Sequence, residues 1–303
     1  MLIQVTDLIF EYPGFRALNK ISFTIEKGSI TALVGPNGAG KTTLMRCLAA
    51  LEQPLSGSIE VDGIDVLEYP RQCHRKLGYL SDFFGLYDRL TVRQILRFIA
   101  GAQGIPASDW EQAVERVSRQ LQIHDRLEAK PNELSRGLRQ RVAIAQAIIH
   151  QPQVVLLDEP ASGLDPEARY ALADLFLDLQ RQGMTLLVSS HILAELESYS
   201  SHMLILREGR IIEHVNIRQH HPDKTLYRLV LAHPDERLAH YLADFSDLDR
   251  LKIESNLAIF EMEINPERHH QLLKTLFDQG LPVCEFAPAQ THLQDTYLAR
   301  VQS

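Results

Sequence analysis

Five short stretches carry residue types that could do chemistry. The first is GPNGAGKTT. Gly35, Pro36, Asn37, Gly38, Ala39, Gly40, Lys41 and Thr42 fit the phosphate-loop pattern G-x-x-x-x-G-K-[ST], and Thr43 follows directly. The glycines let the backbone wrap tightly, so that successive N–H groups point at phosphate oxygens. A helix starting there adds the positive end of its dipole. Lys41 would contact the β- and γ-phosphates, and the Thr42 hydroxyl would ligate Mg²⁺. The second stretch, VVLLDEP, ends an apolar run on two carboxylates. Asp158 can hold Mg²⁺, and Glu159 can polarise a water for attack on a γ-phosphate. The third, SSHIL, sets His191 just past another apolar run, although a lone histidine there is more often an ordinary loop residue. The fourth, SGLDP, is by itself a turn. The fifth, LSRGLRQR, offers Ser135 and Gly137 ahead of an amphipathic run and reads alone as a capped helix start.

Positioning these groups needs strands that end at a common edge. SITALVG, QVVLLDE and MTLLVSS are continuously apolar, as strands covered on both faces are. Helical patterns alternate with them, which predicts an α/β core with a mostly parallel sheet. Ligands of such sheets bind outside the strand C-termini. LIQVTDLIFEY and ISFTIEKG alternate instead and predict an antiparallel flank. Helical patterns fill the stretch from Thr91 to Lys130, with Ser108 and Asp109 as candidate caps, inside a helical subdomain of about residues 83–150. Past residue 216 the character changes. QHHPDK is a linker candidate, and residues 222–303 read as strand, helix, strand, strand, helix, strand. That order is βαββαβ, a small α+β ferredoxin-like domain.

The chain has 303 residues and a net charge of −8, with pI about 5.9. An acidic balance gives no expectation of nucleic-acid binding. No apolar run reaches the roughly 18 residues of a membrane span, and the N-terminus has no basic region of a signal peptide. Cys47, Cys73 and Cys284 lie far apart and form no CxxC pair, which fits reduced thiols. Eight histidines (His214, His220, His221, His233, His240, His269, His270 and His292) crowd the C-terminal part, yet no helical His pair gives metal-ligand spacing.

The order GPNGAGKTT, LSRGLRQR, VVLLDEP, SGLDP, SSH resembles the ATP-binding subunit of ATP-binding cassette (ABC) transporters over residues 1 to about 215. The resemblance implies a P-loop ATPase core that uses ATP and Mg²⁺. It also implies a head-to-tail dimer, of two copies or of one copy with a related ATPase subunit, with ATP sandwiched at each interface. Tyr12 would stack on adenine, and His191 would contact the γ-phosphate. Ser135 and Gly137 would meet the phosphate held by the other subunit, and Asp165 would pass between the two sites. A separate membrane permease is implied, with this subunit peripheral on the cytoplasmic face. Two positions depart from the commonest pattern. Arg136 and Leu138 replace Gly and Gln, as in exporter subunits of the family. Asp82 stands where a glutamine usually links Mg²⁺, the attacking water and the membrane partner; an aspartate there can also ligate Mg²⁺ and face bound ATP, though it is shorter and charged. FFGLY follows Asp82 and would be either core or a docking patch. The competing expectations are a soluble ABC ATPase acting on nucleic acid or ribosomes, and a small P-loop GTPase or kinase. The first lacks a second cassette here, and the second lacks an NKxD motif.

Overall fold

The computed structural model describes residues 1–190, 192, 196, 198–217, 224–243, 245 and 247–288. The chain divides into two compact units, Met1–Asn216 and Ile217–Ser303. Residues 218–223, which include all of the linker candidate QHHPDK except Lys224, lie outside the described residues.

The first unit begins with a hairpin, β1 (Ile3–Tyr12) and β2 (Phe15–Ile25), whose residues alternate between buried and exposed. The next elements are β3 (Ile30–Val34), α1 (Lys41–Leu48), β4 (Ser56–Val61), β5 (Ile64–Asp65), α2 (Pro70–His74) and β6 (Leu77–Leu80). β2, β1, β4 and β5 make an antiparallel sheet in that order. Three longer helices follow: α3 (Val92–Ala102), α4 (Trp110–Gln120) and α5 (Arg136–Ile148). Then come β7 (Val154–Leu157), α6 (Pro166–Arg181), β8 (Thr185–Ser190), β9 (His202–Arg207) and β10 (Arg210–Asn216). The second sheet has the order β10-β9-β3-β8-β7-β6. β10 is antiparallel to β9, and the other pairings are parallel.

Every residue of β3, β7 and β8 is buried, which is why these strands carry no alternation in sequence. The sheets share one apolar cluster, in which Leu44, Met45 and Leu48 of α1 join Ile3, Leu8 and Ile59 of the antiparallel sheet and Leu33, Leu156 and Leu187 of the parallel one. α3 starts on a capping box between Thr91 and Gln94. The expected caps Ser108 and Asp109 do not cap. The Ser108 hydroxyl donates to Asp109 Oδ1 at 2.8 Å, and no side chain caps α4.

The second unit holds β11 (Lys224–Leu231), α7 (Arg237–Ala243), β12 (Asp249–Glu254), β13 (Leu257–Glu263), α8 (Pro266–Asp278) and β14 (Val283–Pro288). Its antiparallel sheet has the order β12-β13-β11-β14. That is the ferredoxin-like arrangement of a βαββαβ chain. Leu238 and Leu242 of α7 and Leu272 and Leu276 of α8 bury against Leu229, Phe260 and Met262.

Candidate functional site

Parallel register fixes one edge of the sheet as the working edge. Val34 pairs with Ser190, and Leu80 pairs with Leu157. Gly35, Ser81 and Asp158 therefore leave their strands side by side. The Asp158 N–H donates to the Leu80 carbonyl at 2.9 Å, which draws the Asp82 segment against the acid pair.

The phosphate loop runs from β3 into α1. Gly35 is required by crowding, because a β-carbon there would lie 2.2 Å from the Leu206 carbonyl oxygen. Lys41 is buried and folds back on the loop, donating to the carbonyls of Gly35 at 2.7 Å and Pro36 at 3.3 Å. Its Nζ also lies 3.7 Å from Glu159 Oε1. An ammonium has three protons, so a phosphate oxygen can join this set.

Asp158 is buried. Its Oδ1 accepts from the Ser189 hydroxyl at 2.6 Å, and that same hydroxyl oxygen accepts from the Glu159 N–H at 2.9 Å. One serine on β8 thus sets both carboxylates. Asp158 Oδ2 is buried with no hydrogen-bond partner among the described residues. A buried carboxylate oxygen without a donor is costly unless a cation meets it. Glu159 has φ 48°, an uncommon backbone for a non-glycine residue and one that concentrates at functional sites.

Lys41 and Glu159 line a cleft of about 470 Å³ with Tyr12, Phe15, Asn37, Gly38, Gly40, Thr42, Thr43, Asp82 and Ser162. Tyr12 packs edge-on against Phe10 and shares a 3.5 Å hydrogen bond with Thr43. Tyr12 is 40 % exposed. Tyr79 on β6 has its phenol pushed up to about 12, first by burial and then by Asp158. It stays a neutral neighbour of the acids.

Ser135, Gly137 and Asp165 do not enter this cleft. They line a second one of about 400 Å³ with Leu138, Gln140, Leu164 and Ala168. Ser135 caps α5, accepting from the Leu138 N–H at 3.3 Å, and keeps its own proton for an outside acceptor. Asp165 caps α6 by accepting from the Ala168 N–H at 2.8 Å. A β-carbon on Gly137 would meet only Ala168, at 3.4 Å, so packing within the chain does not demand a glycine there.

His191 lies outside the described residues, as do His220, His221 and His292. Among the described residues no three His, Cys, Asp or Glu side chains converge as a metal site. Phe83 is 92 % exposed and Tyr87 53 %, so FFGLY is not core. Sequence reading missed Ser189, whose only signal was its place two residues before His191 on a strand bound to β7. No described helix is long and apolar enough to cross a membrane. Cys47 and Cys73 are buried and Cys284 is exposed. Burial pushes the Cys47 thiol up to about 12.

Residues 18–162 match the family model described as ABC transporter. The ABC transporter ATP-binding protein NatA of Bacillus subtilis (strain 168) is 35 % identical over 198 residues, covering 65 % of this chain and 80 % of NatA. The bacitracin transport ATP-binding protein BcrA of Bacillus licheniformis is 32 % identical over 215 residues, covering 71 % of this chain and 69 % of BcrA. The solved structure of an ATP binding subunit of ABC transporter superposes with a TM-score of 0.64 at 32 % identity, over 71 % of this chain and 90 % of that one.

Proposed function

The chain belongs to the ATP-binding subunits of ABC transporters, which hydrolyse ATP, and from that premise we propose that it is the motor of an exporter that works as a dimer of two such subunits. The observation that carries this reading is the separation of the two clefts. Lys41, Thr42 and Glu159 line one, while Ser135 and Gly137 line the other. Each chain thus offers two incomplete halves, and a head-to-tail pair completes two equivalent sites.

In the first cleft the phosphate loop binds ATP through its backbone N–H groups and Lys41, with Tyr12 against the base. The Thr42 hydroxyl and Asp158 Oδ2 would hold Mg²⁺, an ion that takes one or two protein ligands and otherwise keeps phosphate oxygens and water. The cation would neutralise charge on the β- and γ-phosphates. Glu159 accepts the proton of the attacking water, held in place by Ser189 through its own backbone N–H. Asp82 lines the same cleft and adds a carboxylate where the family's commonest pattern has an amide. From the second chain, Ser135 donates its hydroxyl proton to the γ-phosphate. Gly137 lets the start of α5 approach closely, and Asp165 passes between the sites.

Closure on ATP and opening after hydrolysis would be passed to a separate membrane permease, with this subunit peripheral on the cytoplasmic face. Phe83 and Tyr87 support a docking role by their exposure beside Asp82. The outward direction rests on Arg136 and Leu138 and on the second unit. BcrA, named for bacitracin transport, is a relative over 71 % of the chain.

Glu159→Gln tests the base. The variant should bind ATP like the parent, accumulate as an ATP-bound dimer in light scattering, and lose at least about a hundredfold in kcat, as removal of a general base does. Full turnover would overturn the assignment. Affinity purification from membranes should bring down an integral membrane protein. Ribosomes or nucleic acid in its place would overturn the transport role.

A further inference from the structure

Arg136 is the first residue of α5 and stands between Ser135 and Gly137. Its side chain crosses to the loop that separates the acid pair from Asp165. Arg136 Nη2 donates to the Ser162 carbonyl at 2.9 Å. The guanidinium lies so near Gly163 that a β-carbon there would sit 2.2 Å from Nη2 and 2.3 Å from Cζ. Gly163 also has φ 66°, so its backbone calls for glycine, while the guanidinium, the end of a flexible side chain, would have to move aside for a β-carbon.

The loop under this grip is built to pass on a displacement. The Ser162 N–H donates to the Glu159 carbonyl at 3.0 Å, and the Leu164 N–H donates to the Ala161 carbonyl at 3.2 Å. Two linked turns therefore run from Glu159 to Asp165, which caps α6. Ser162 itself lines the first cleft beside Lys41 and Glu159. A planar guanidinium over a carbonyl is a stiff link, because its donors are fixed in one plane.

We propose that Arg136 is a positioning residue that couples the two ATP sites of the dimer. It ties the α5 start of one chain to the hydrolysis loop of the same chain. The inference rests on the reading that Ser135 and Gly137 meet ATP held by a second chain. A γ-phosphate seated there fixes the first turn of α5. Through Arg136, Ser162 and the Glu159 carbonyl, that seating sets the loop serving the chain's own ATP. Occupancy of one site thereby makes the other competent.

The test uses the full chain and its Arg136→Ala, Arg136→Lys, Gly163→Ala and Ser135→Ala variants. Steady-state ATPase is followed against ATP concentration, and ATP-driven dimerisation is followed by light scattering in the Glu159→Gln background. Arg136→Ala should lose about tenfold in kcat, the value of one charge-assisted hydrogen bond, while KM stays within about twofold. Its Hill coefficient should fall from above one toward one. Arg136→Lys keeps a donor and should recover at least half of the lost kcat. Gly163→Ala displaces the guanidinium and also strains the loop backbone, so it should lose at least as much as Arg136→Ala, and adding Arg136→Ala to it should cost less than the tenfold of the single variant. If Ser135→Ala dimerises with ATP like the parent, the two-chain site itself is wrong. If Ser135→Ala blocks dimerisation while Arg136→Ala keeps the parental kcat and Hill coefficient, the site stands and the coupling is overturned. A loss in Arg136→Ala that Lys does not recover and that follows a lowered Tm also overturns it.

Discussion

Asp158 has one oxygen on Ser189 and, among the described residues, no partner on the other, and that asymmetry makes Oδ2 the oxygen we propose for the cation. Ser189 has no chemistry of its own, yet its hydroxyl serves both acids at once. Ser189→Ala should strand Asp158 Oδ1 and the Glu159 N–H together. We expect a loss of about 1–3 kcal/mol in stability, measured by urea denaturation, for buried groups left unpartnered. The ATPase rate should fall as well, with ATP binding retained. The lysine loop and the acid pair were readable in the sequence because each is a contiguous string whose neighbours along the chain are its neighbours in space. Ser189 and the Arg136–Gly163 contact were not, since each joins segments far apart in sequence through strand register or a side chain's path.

Among elements, the strands of the parallel sheet were the plainest to read, because a strand covered on both faces must be apolar throughout. Caps were less legible. Ser135 reaches the Leu138 N–H, whereas Ser108 spends its hydroxyl on Asp109, and nothing in the two short strings tells them apart. The junction of α5 with β7 holds a titratable group. His150 shares a 3.3 Å hydrogen bond with the Leu77 carbonyl, which requires a proton on Nε2. Burial holds its pKa below the ordinary 6.5, so the folded chain keeps the ring neutral where the unfolded chain takes up a proton. Protons then favour unfolding. The contribution is complete above about pH 6.5 and is lost as pH falls from there toward the folded pKa. His150→Gln retains a donor for Leu77 and should flatten this acid-side loss in denaturant titrations run at several pH values.

At the scale of the whole molecule, the two units each carry a core of their own. Every residue of both clefts lies within Met1–Asn216. A chain ending at Asn216 should therefore fold and bind ATP with affinity within about threefold of the parent, as an autonomous domain does. Titration with a fluorescent ATP analogue measures this, and loss of binding would show that the second unit completes the first. The βαββαβ order of that second unit was legible from alternating apolar patterns. Its role was not, because fold alone does not fix function.

The distribution of the three cysteines bears on how such motions can be watched. Cys47 and Cys73 are buried, while Cys284 faces outward from β14 in the second unit. The natural chain therefore presents a single accessible thiol, remote in sequence from every nucleotide-binding motif. A maleimide-linked spin label or fluorophore can be attached there without first building a cysteine-free background. In a two-chain assembly the same attachment occurs once per subunit. It provides a symmetric pair of reporters from which an inter-probe distance can be followed as ATP is added and consumed.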